Sequence, residues 1–328
     1  RANSLEVSGS AKAREFDVED ELFVGGDLRA EEVRVGGSLE VRGRTEASIL
    51  DVGGTLLARG PVKADEVRVG GRARLEDEIE IGFLSVGGTA RVRGGKVGNV
   101  DVGGSFRSLG PIEFKRVDVG GTAILSGGKG GDVSVGGTFK SLEPLEAFGR
   151  IDVGGTVSLI GPARGREISV GGTLKVVGDL ELKGKLSVGG TASIDGVLKA
   201  GSVGVGGSLR ADKVEALGSV KVGGRLSTVK GVQADYVEIG RRGRIEGPVK
   251  AKVVRIREWA RAEDIWADEI TLEEGARAKN LYGRRIYIED ECVVMGEVKY
   301  VEELVVEEGA RLLRPPEKVE DPSEIGLS

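Results

Sequence analysis

The chain has 328 residues, a formal net charge of −5, 31% charged residues and 56 glycines, with no histidine, one cysteine and one methionine. One cysteine excludes a disulfide framework, the lack of His or Cys clusters excludes a zinc site, and the acidic balance argues against bulk attraction to nucleic acid. No apolar run reaches the roughly 18 residues of a membrane-spanning helix.

Amino-acid usage also bears on the source and compartment of the protein. Few thermolabile residues beside many Glu, Lys and Arg are typical of hyperthermophile proteins. A single cysteine and the lack of a recognisable signal peptide favour the cytoplasm, with association at a membrane as a second option. Because the sequence opens with Arg1 rather than methionine, removal of an upstream signal would instead place the protein at the extracellular surface.

Alternating apolar residues begin at the start of the sequence. Three pairs, each separated by one polar residue, are Leu5 and Val7, Ala11 and Ala13, and Phe16 and Val18. This period of two predicts short strands with one buried face. Nothing visible precedes them to act as a cap, so we expect Leu5, Val7, Ala11 and Ala13 to form an adhesive N-terminal rung.

A Val-Gly-Gly motif then returns every 16 to 18 residues. It starts at Val35, Val52, Val69, Val86, Val102, Val119, Val135, Val153, Val170, Val188, Val205 and Val222. A regular short period predicts one small unit stacked on itself, which is a solenoid. The residue two positions before each motif is always apolar, as at Val33, Val117 and Val133, and is expected to point inward.

Within one coil, such as 52–68, apolar pairs alternate with segments typical of turns, which predicts three strands and three corners. The paired glycines are expected to supply positive φ at a sharp corner where a Cβ would clash. A phosphate-binding loop is the alternative, but no helical period follows any of the motifs. The Ser or Thr after most glycine pairs, as at Thr55 and Thr89, is expected to stack into a column beside that corner.

From Ile239 the repeat continues without the glycine pairs, at Ile256, Leu272, Ile288 and Val306. We therefore predict an all-β fold: a single-stranded, three-sided parallel β-helix or β-solenoid of about 17 residues per coil and roughly 18 coils. Residues 1–313 form one continuous solenoid, with Val-Gly-Gly coils over 1–238 and variant coils over 239–313. Residues 314–328, which contain Pro315 and Pro316, form a C-terminal cap or flexible tail.

The middle outward position of the first strand is often basic. The residues assigned to this basic stripe are Arg74, Arg91, Arg107, Lys140, Lys175, Arg210, Arg244, Arg261 and Arg277. Such a stripe fits an anionic polymer or a lipid surface. The alternative is an ordinary solvated face whose charge is neutralised by acidic neighbours.

Aromatic residues at outward positions mark a candidate partner surface near the C-terminus. Its members are Tyr236, Trp259, Trp266, Tyr282 and Tyr287, with the flanking lysines Lys250 and Lys299. Trp266 and Tyr282 are expected to share a face on successive coils. Exposed aromatic residues beside cations indicate a contact site; cover by the C-terminal tail is the alternative.

Catalysis is not expected. Acyltransferases of the left-handed hexapeptide class rely on a histidine, which this chain lacks, and polysaccharide-cleaving helices need long side loops, whereas these coils are close to minimal length. Asp101, Asp118 and Asp152 recur at one outward position, and Cys292 is assigned to the inward first-strand position. We predict no catalytic, cofactor-binding or metal-binding residues and no small-molecule substrate.

Coils of the form V-G-G-T-L-x-A-x-G-P-V-x-A-x-x-V-x resemble those of the bactofilins, a family of polymer-forming cytoskeletal β-helix proteins. The resemblance covers residues 1 to about 313 as a repeat style. It implies a right-handed three-sided β-helix that assembles end to end into non-polar filaments without nucleotide, often near a membrane. This chain departs from the family in having many more coils and no disordered flanks.

The leading functional hypothesis is a structural protein that forms a scaffold or filament by end-to-end stacking, with itself as partner. The first alternative is a non-enzymatic binding module that presents its aromatic and basic C-terminal face to a protein, an envelope component or an anionic polymer. The second alternative is an extracellular adhesin or surface component. A membrane surface or an envelope protein is a further candidate partner, and nucleic acid is not expected.

Overall fold

The computed structural model describes residues 2–327. The protein is all-β, with 70% strand and 1% helix, and it winds as a parallel β-solenoid of about 19 turns spaced about 17 residues apart. This confirms the predicted fold class. By their internal contacts the residues fall into two compact units, Arg1–Ala163 and Arg164–Ser328.

The first unit contains strands β1 to β17. Their bounds are β1 (Ala2–Val7), β2 (Ala11–Lys12), β3 (Glu15–Val24), β4 (Leu28–Val35), β5 (Ser38–Val41), β6 (Thr45–Val52), β7 (Thr55–Ala58), β8 (Val62–Val69), β9 (Arg72–Val86), β10 (Thr89–Val102), β11 (Ser105–Ser108), β12 (Ile112–Val119), β13 (Thr122–Leu125), β14 (Gly128–Val135), β15 (Thr138–Ser141), β16 (Leu145–Val153) and β17 (Thr156–Ile160).

The second unit contains strands β18 to β36 and one short 3₁₀ helix, Pro322–Ile325. The strand bounds are β18 (Ala163–Val170), β19 (Thr173–Val177), β20 (Leu180–Leu182), β21 (Lys185–Val188), β22 (Thr191–Ala200), β23 (Ser202–Val205), β24 (Ser208–Ala216), β25 (Ser219–Val222), β26 (Arg225–Thr228), β27 (Val232–Ile239), β28 (Arg244–Glu246), β29 (Val249–Ile256), β30 (Asp264–Leu272), β31 (Arg277–Ala278), β32 (Asn280–Ile288), β33 (Val293–Val294), β34 (Val298–Val306), β35 (Arg311–Leu312) and β36 (Glu317–Lys318).

Strands pair in parallel with their equivalents in the neighbouring coils, and the register keeps inward residues in columns. In the first unit β4 pairs with β6 and β6 with β8, which places Val33, Leu50 and Val67 opposite one another. All three are fully buried. The predicted inward column is confirmed, and its aliphatic side chains fill the interior because alternate residues of each strand face the same way.

The two strands predicted after the first corner of a coil run as one. In β8 the inward residues Val62, Ala64, Val67 and Val69 are all buried. Two consecutive residues, Asp65 and Glu66, separate Ala64 from Val67 and lie outside the interior. Asp65 has no partner in the pairing register with either neighbouring coil. The predicted corner is therefore a bend within the strand, where the ladder continues on both sides.

The Val-Gly-Gly corners are held by contacts between coils. Gly53 N–H donates to Val35 O at 2.8 Å, and Gly54 N–H donates to Gly37 O at 2.9 Å. A Cβ added at Gly53 would lie 2.2 Å from Gly36 O, so the predicted clash is confirmed. The predicted positive φ is wrong: within residues 2–327, none of these glycines is in the left-handed region. Close stacking of corners, and not backbone handedness, requires glycine there.

In the variant coils of the second unit each corner gains two residues and becomes a turn: two residues separate Val222 from Arg225, whereas four separate their register partners Ile239 and Arg244. Gly243 N–H donates to Gly240 O at 2.9 Å, and Ala260 N–H donates to Arg257 O at 3.1 Å. In four of these coils the longer corner contains one left-handed residue, namely Arg242 (φ 57°), Trp259 (φ 60°), Gly275 (φ 67°) or Glu291 (φ 56°). At these corners left-handed backbone thus takes the place of the glycine pair.

Candidate functional site

The predicted N-terminal rung is the edge coil of the first unit. Leu5 and Val7 are half-buried, Ala11 is buried and Ala13 is exposed. Leu5 and Val7 belong to β1, which pairs with β3 and places Leu5 opposite Leu22 and Val7 opposite Val24. Leu22 and Val24 are fully buried. Within residues 2–327 no strand pairs with the other edge of β1. Apolar side chains are therefore only partly covered at this rung.

The C-terminal rung of the second unit is similarly exposed. Strand β34 pairs with β32, where Ile286 lies opposite Leu304 and Ile288 opposite Val306. Ile286 and Ile288 are buried, but Leu304 is only half-buried and Val306 is 38% exposed. The inward columns are therefore only partly covered at the last coil, because among the described residues no full coil follows it.

Most of the C-terminal tail, residues 314–327, packs on a side of the second unit and not over the C-terminal rung. Strand β36 pairs with β34 only at Lys299 and Tyr300. The chain then turns away, and a small apolar cluster forms beside the solenoid from Val319, Ile325 and Leu327, packed against Trp266, Tyr282 and Val301. The residues predicted as a cap or tail are thus a side cover, and most of the β34 edge stays free among the described residues.

Four of the predicted surface residues stand in one column. Lys250 lies opposite Trp266, Trp266 opposite Tyr282, and Tyr282 opposite Lys299. The rings of Trp266 and Tyr282 stack with centroids 5.0 Å apart and an interplanar angle of 14°. The predicted shared face is confirmed. However, the tail cluster covers the stacked rings, which matches the alternative reading of this surface.

The other three aromatic residues lie elsewhere in the second unit. Tyr236 donates to Glu238 at 2.6 Å, and Tyr287 donates to Glu303 at 2.9 Å. Trp259 occupies a variant corner, 47% exposed, and its ring blocks the space beside Gly275. Because Tyr236, Trp259 and Tyr287 fall outside the Lys250–Lys299 column, the predicted set is not one continuous surface.

Two tyrosines are held in their protonated form. Burial, followed by the hydrogen bond to Glu297 at 2.9 Å, raises the pKa of Tyr282 to about 12. Burial and the bond to Glu238 likewise raise the pKa of Tyr236 to about 12. Both folded-state pKa values exceed the ordinary value of 10.0. The stability that these tyrosines contribute is therefore complete below pH 10 and is lost as the pH rises towards 12.

We expect Tyr282→Phe to remove a late-titrating phenol. In an absorbance titration of phenolate formation, the wild-type protein should show a component near pH 12 that is smaller in the variant. Loss of the same absorbance near pH 10 in the Tyr282 variant would show that the hydroxyl is not held by Glu297.

The basic stripe divides between two columns. In the first unit Arg74, Arg91 and Arg107 are in register, and Lys140 follows one coil after Ile124. In the second unit Lys175 and Arg210 occupy one column on either side of Ser193. The assignment of the last three residues to that column is wrong. Arg244, Arg261 and Arg277 align instead with Arg225 and, through it, with the hydroxyl residue Ser208.

A buried ion-pair cluster was not recognised from the sequence. Glu273 is only 4% exposed, and it accepts hydrogen bonds from Arg255 and, at 2.9 Å, from Arg257. Glu273 raises the pKa of both guanidinium groups, which stay charged. In the sequence this residue belongs to an acidic pair typical of an exposed corner. Only the packing of adjacent corners encloses it.

Cys292 is a core residue, but at a different position from the one predicted. It ends a variant corner, directly before the outward column that contains Arg277 and Val293. Its Sγ donates to Glu273 O at 3.1 Å, and burial raises the pKa of the thiol to about 11.

Within residues 2–327 no group of three or more His, Cys, Asp or Glu is arranged to hold a metal ion. No helix of that part is long and apolar enough to cross a membrane.

Comparison with known proteins adds no relative. No family model, no curated protein and no solved structure matches the chain. The fold assignment therefore rests on the coils and their register, and functional inference rests on the exposed surfaces and on the two terminal rungs.

Proposed function

We propose that this protein is a non-enzymatic structural scaffold whose copies associate through their terminal rungs. The observation that carries the proposal is the C-terminal rung, where the tail pairs with β34 at Lys299 and Tyr300 and then leaves Leu304 and Val306 partly exposed. An unpaired strand edge beside open apolar side chains is a template for pairing with another chain.

The N-terminal rung supports the same proposal. Leu5 and Val7 lie half-buried above fully buried equivalents, so an added coil would cover apolar surface and pair the edge of β1 that no strand of residues 2–327 occupies. Contact between unlike rungs propagates into a polar filament. Contact between like rungs stops at a pair when only one kind of rung associates, and propagates into a non-polar filament when both kinds do. The resemblance to bactofilins fits assembly of this kind without nucleotide, and we propose the cytoplasm as its location.

The test is the assembly state of this chain over a range of protein concentrations, by sedimentation and electron microscopy. We expect growth of threads or pairs with concentration. Leu5→Lys/Val7→Lys, which puts charges into the N-terminal rung, should prevent growth at that end. Leu304→Lys/Val306→Lys should do the same at the other end. Ser4→Lys/Glu6→Lys adds lysines at exposed positions of the same strand and serves as the control.

The variants distinguish the modes of contact. Loss of all association in each of the two rung variants indicates head-to-tail stacking. Filaments that are reduced to pairs in each rung variant indicate contact between like ends at both rungs, and pairs lost in only one of the two variants indicate contact between like ends at that rung alone. A wild-type protein that stays monomeric at every concentration and salt tested would refute the proposal. Equal loss of assembly in the control would show that charge, and not the rung, is responsible.

A further inference from the structure

Consecutive first strands of the first unit display a surface that lacks carboxylates. The segments 89–93, 105–109, 122–126, 138–142 and 156–160 contain no Asp or Glu. We call their outward side chains the 89–160 face; they are Thr89, Arg91, Arg93, Ser105, Arg107, Leu109, Thr122, Ile124, Ser126, Thr138, Lys140, Leu142, Thr156, Ser158 and Ile160. The ladders from β10 through β11, β13 and β15 to β17 hold these segments in register.

The cations of this face are not neutralised. Arg91, Arg93, Arg107 and Lys140 are exposed, and none of them forms an ion pair with a carboxylate of residues 2–327. Many cations elsewhere on the first unit form ion pairs with carboxylates. Examples are Arg34–Glu15 at 3.0 Å, Lys63–Glu80 at 3.1 Å and Arg116–Asp118 at 2.7 Å. Glu143, the acidic residue next to Leu142, lies beyond the face in the following corner.

Aliphatic side chains line the edge of the same face. Leu109 is 43% exposed, Leu142 41% and Ile160 43%. Leu142 and Ile160 directly follow Ser141 and Leu159, which are in register. Leu109 follows Ser108, which is in register with Val92 and hydrogen-bonded to Ser126 of the intervening coil, so the three aliphatic residues lie along one edge with Ser126 between Leu109 and Leu142. At a strand spacing of about 4.8 Å and a rise of about 3.3 Å per residue, the face measures about 19 by 13 Å. Single exposed aliphatic residues are ordinary, but an aligned group beside unpaired cations is not.

We propose that the 89–160 face binds the surface of an anionic lipid bilayer. Arginine and lysine would contact lipid phosphates, while the aligned aliphatic side chains enter the boundary between headgroups and acyl chains. A nucleic acid is less suited, because the face offers aliphatic groups where base stacking needs aromatic ones. The same face of a second copy would bring like charges together, which disfavours it as the partner.

Sedimentation with lipid vesicles tests the proposal. The full chain should bind vesicles of phosphatidylcholine mixed with phosphatidylglycerol, bind less as salt increases, and not bind phosphatidylcholine alone. Arg91→Glu/Arg107→Glu should weaken binding at least about 25-fold, since each cation contributes about fivefold. Lys96→Glu/Lys115→Glu makes the same change in net charge at exposed positions of β10 and β12 that lie outside the 89–160 face and should change binding less than about twofold.

A second pair of variants tests the aliphatic edge. Leu142→Ser/Ile160→Ser should weaken vesicle binding and leave its salt dependence unchanged, because it removes apolar contact without removing charge. Equal loss in the two charge-reversal variants, or no binding to anionic vesicles, would overturn the proposal. So would binding of heparin or single-stranded DNA that is tighter than vesicle binding and indifferent to Leu142 and Ile160, since that result identifies a soluble polyanion as the ligand.

Discussion

Val133→Lys is expected to destabilise the protein by about 4 kcal/mol or more. Val133 is 1% exposed and is stacked between Val117 and Ile151 in the inward column. A lysine there must either bury a charge without a partner or give up its proton, and both are costly. Because coils contact mainly their neighbours, the damage should spread to the coils on either side before it reaches the rest of the chain.

Ser134→Lys is the matched control for this change. Ser134 is the next residue of the same strand, exposed and in register with Asp118 and Asp152. A lysine between two carboxylates should be neutral or slightly stabilising, within about 1 kcal/mol. Denaturant unfolding combined with hydrogen exchange measures both variants; local exchange is needed because long repeat arrays do not always unfold in one step. Equal stability of the two variants would contradict the inward assignment of Val133.

Gly70→Ala is expected to cost about 3 kcal/mol, near the upper end of ordinary overpacking. A Cβ at Gly70 would lie 2.1 Å from Gly53 O and 3.1 Å from Gly53 C. Both contacts are to backbone, so no side chain can swing away to relieve them. Relief requires the two coils to separate, which lengthens the 2.9 Å hydrogen bond from Gly70 N–H to Val52 O.

The control for Gly70→Ala is a glycine with room for a methyl group. At Gly204 the nearest atoms to an added Cβ are Lys185 Cε at 3.8 Å and Leu186 O at 4.0 Å. Gly204→Ala should therefore be neutral or stabilise the protein by up to about 1 kcal/mol, because alanine loses less conformational entropy on folding. Thermal unfolding compares the two variants. If both behave alike, corner stacking is not the reason for glycine in the Val-Gly-Gly motif.

The inward columns were predictable because they follow from a period of two within each strand and a fixed period between coils. Val33, Leu50 and Val67 were assigned from spacing alone, and the register places them opposite one another. The column formed by Lys250, Trp266, Tyr282 and Lys299 was predictable for the same reason. Where a corner gained two residues, the same counting shifted by two positions, and Arg244, Arg261 and Arg277 were assigned to the wrong outward column.

The solenoid class, the repeat length and the inward-facing side chains could therefore be predicted from the sequence, since they depend on local periodicity. The reason why the corners need glycine emerges only in the folded chain, because it is a distance of about 2 Å between atoms of different coils. The folded chain also shows that Val319, Ile325 and Leu327 cover Trp266 and Tyr282, and that Glu273 is enclosed with two arginines. The tail contacts join residues whose separation in the chain follows no repeat, and the burial of Glu273 depends on how neighbouring corners pack. Neither property is encoded in a local sequence pattern.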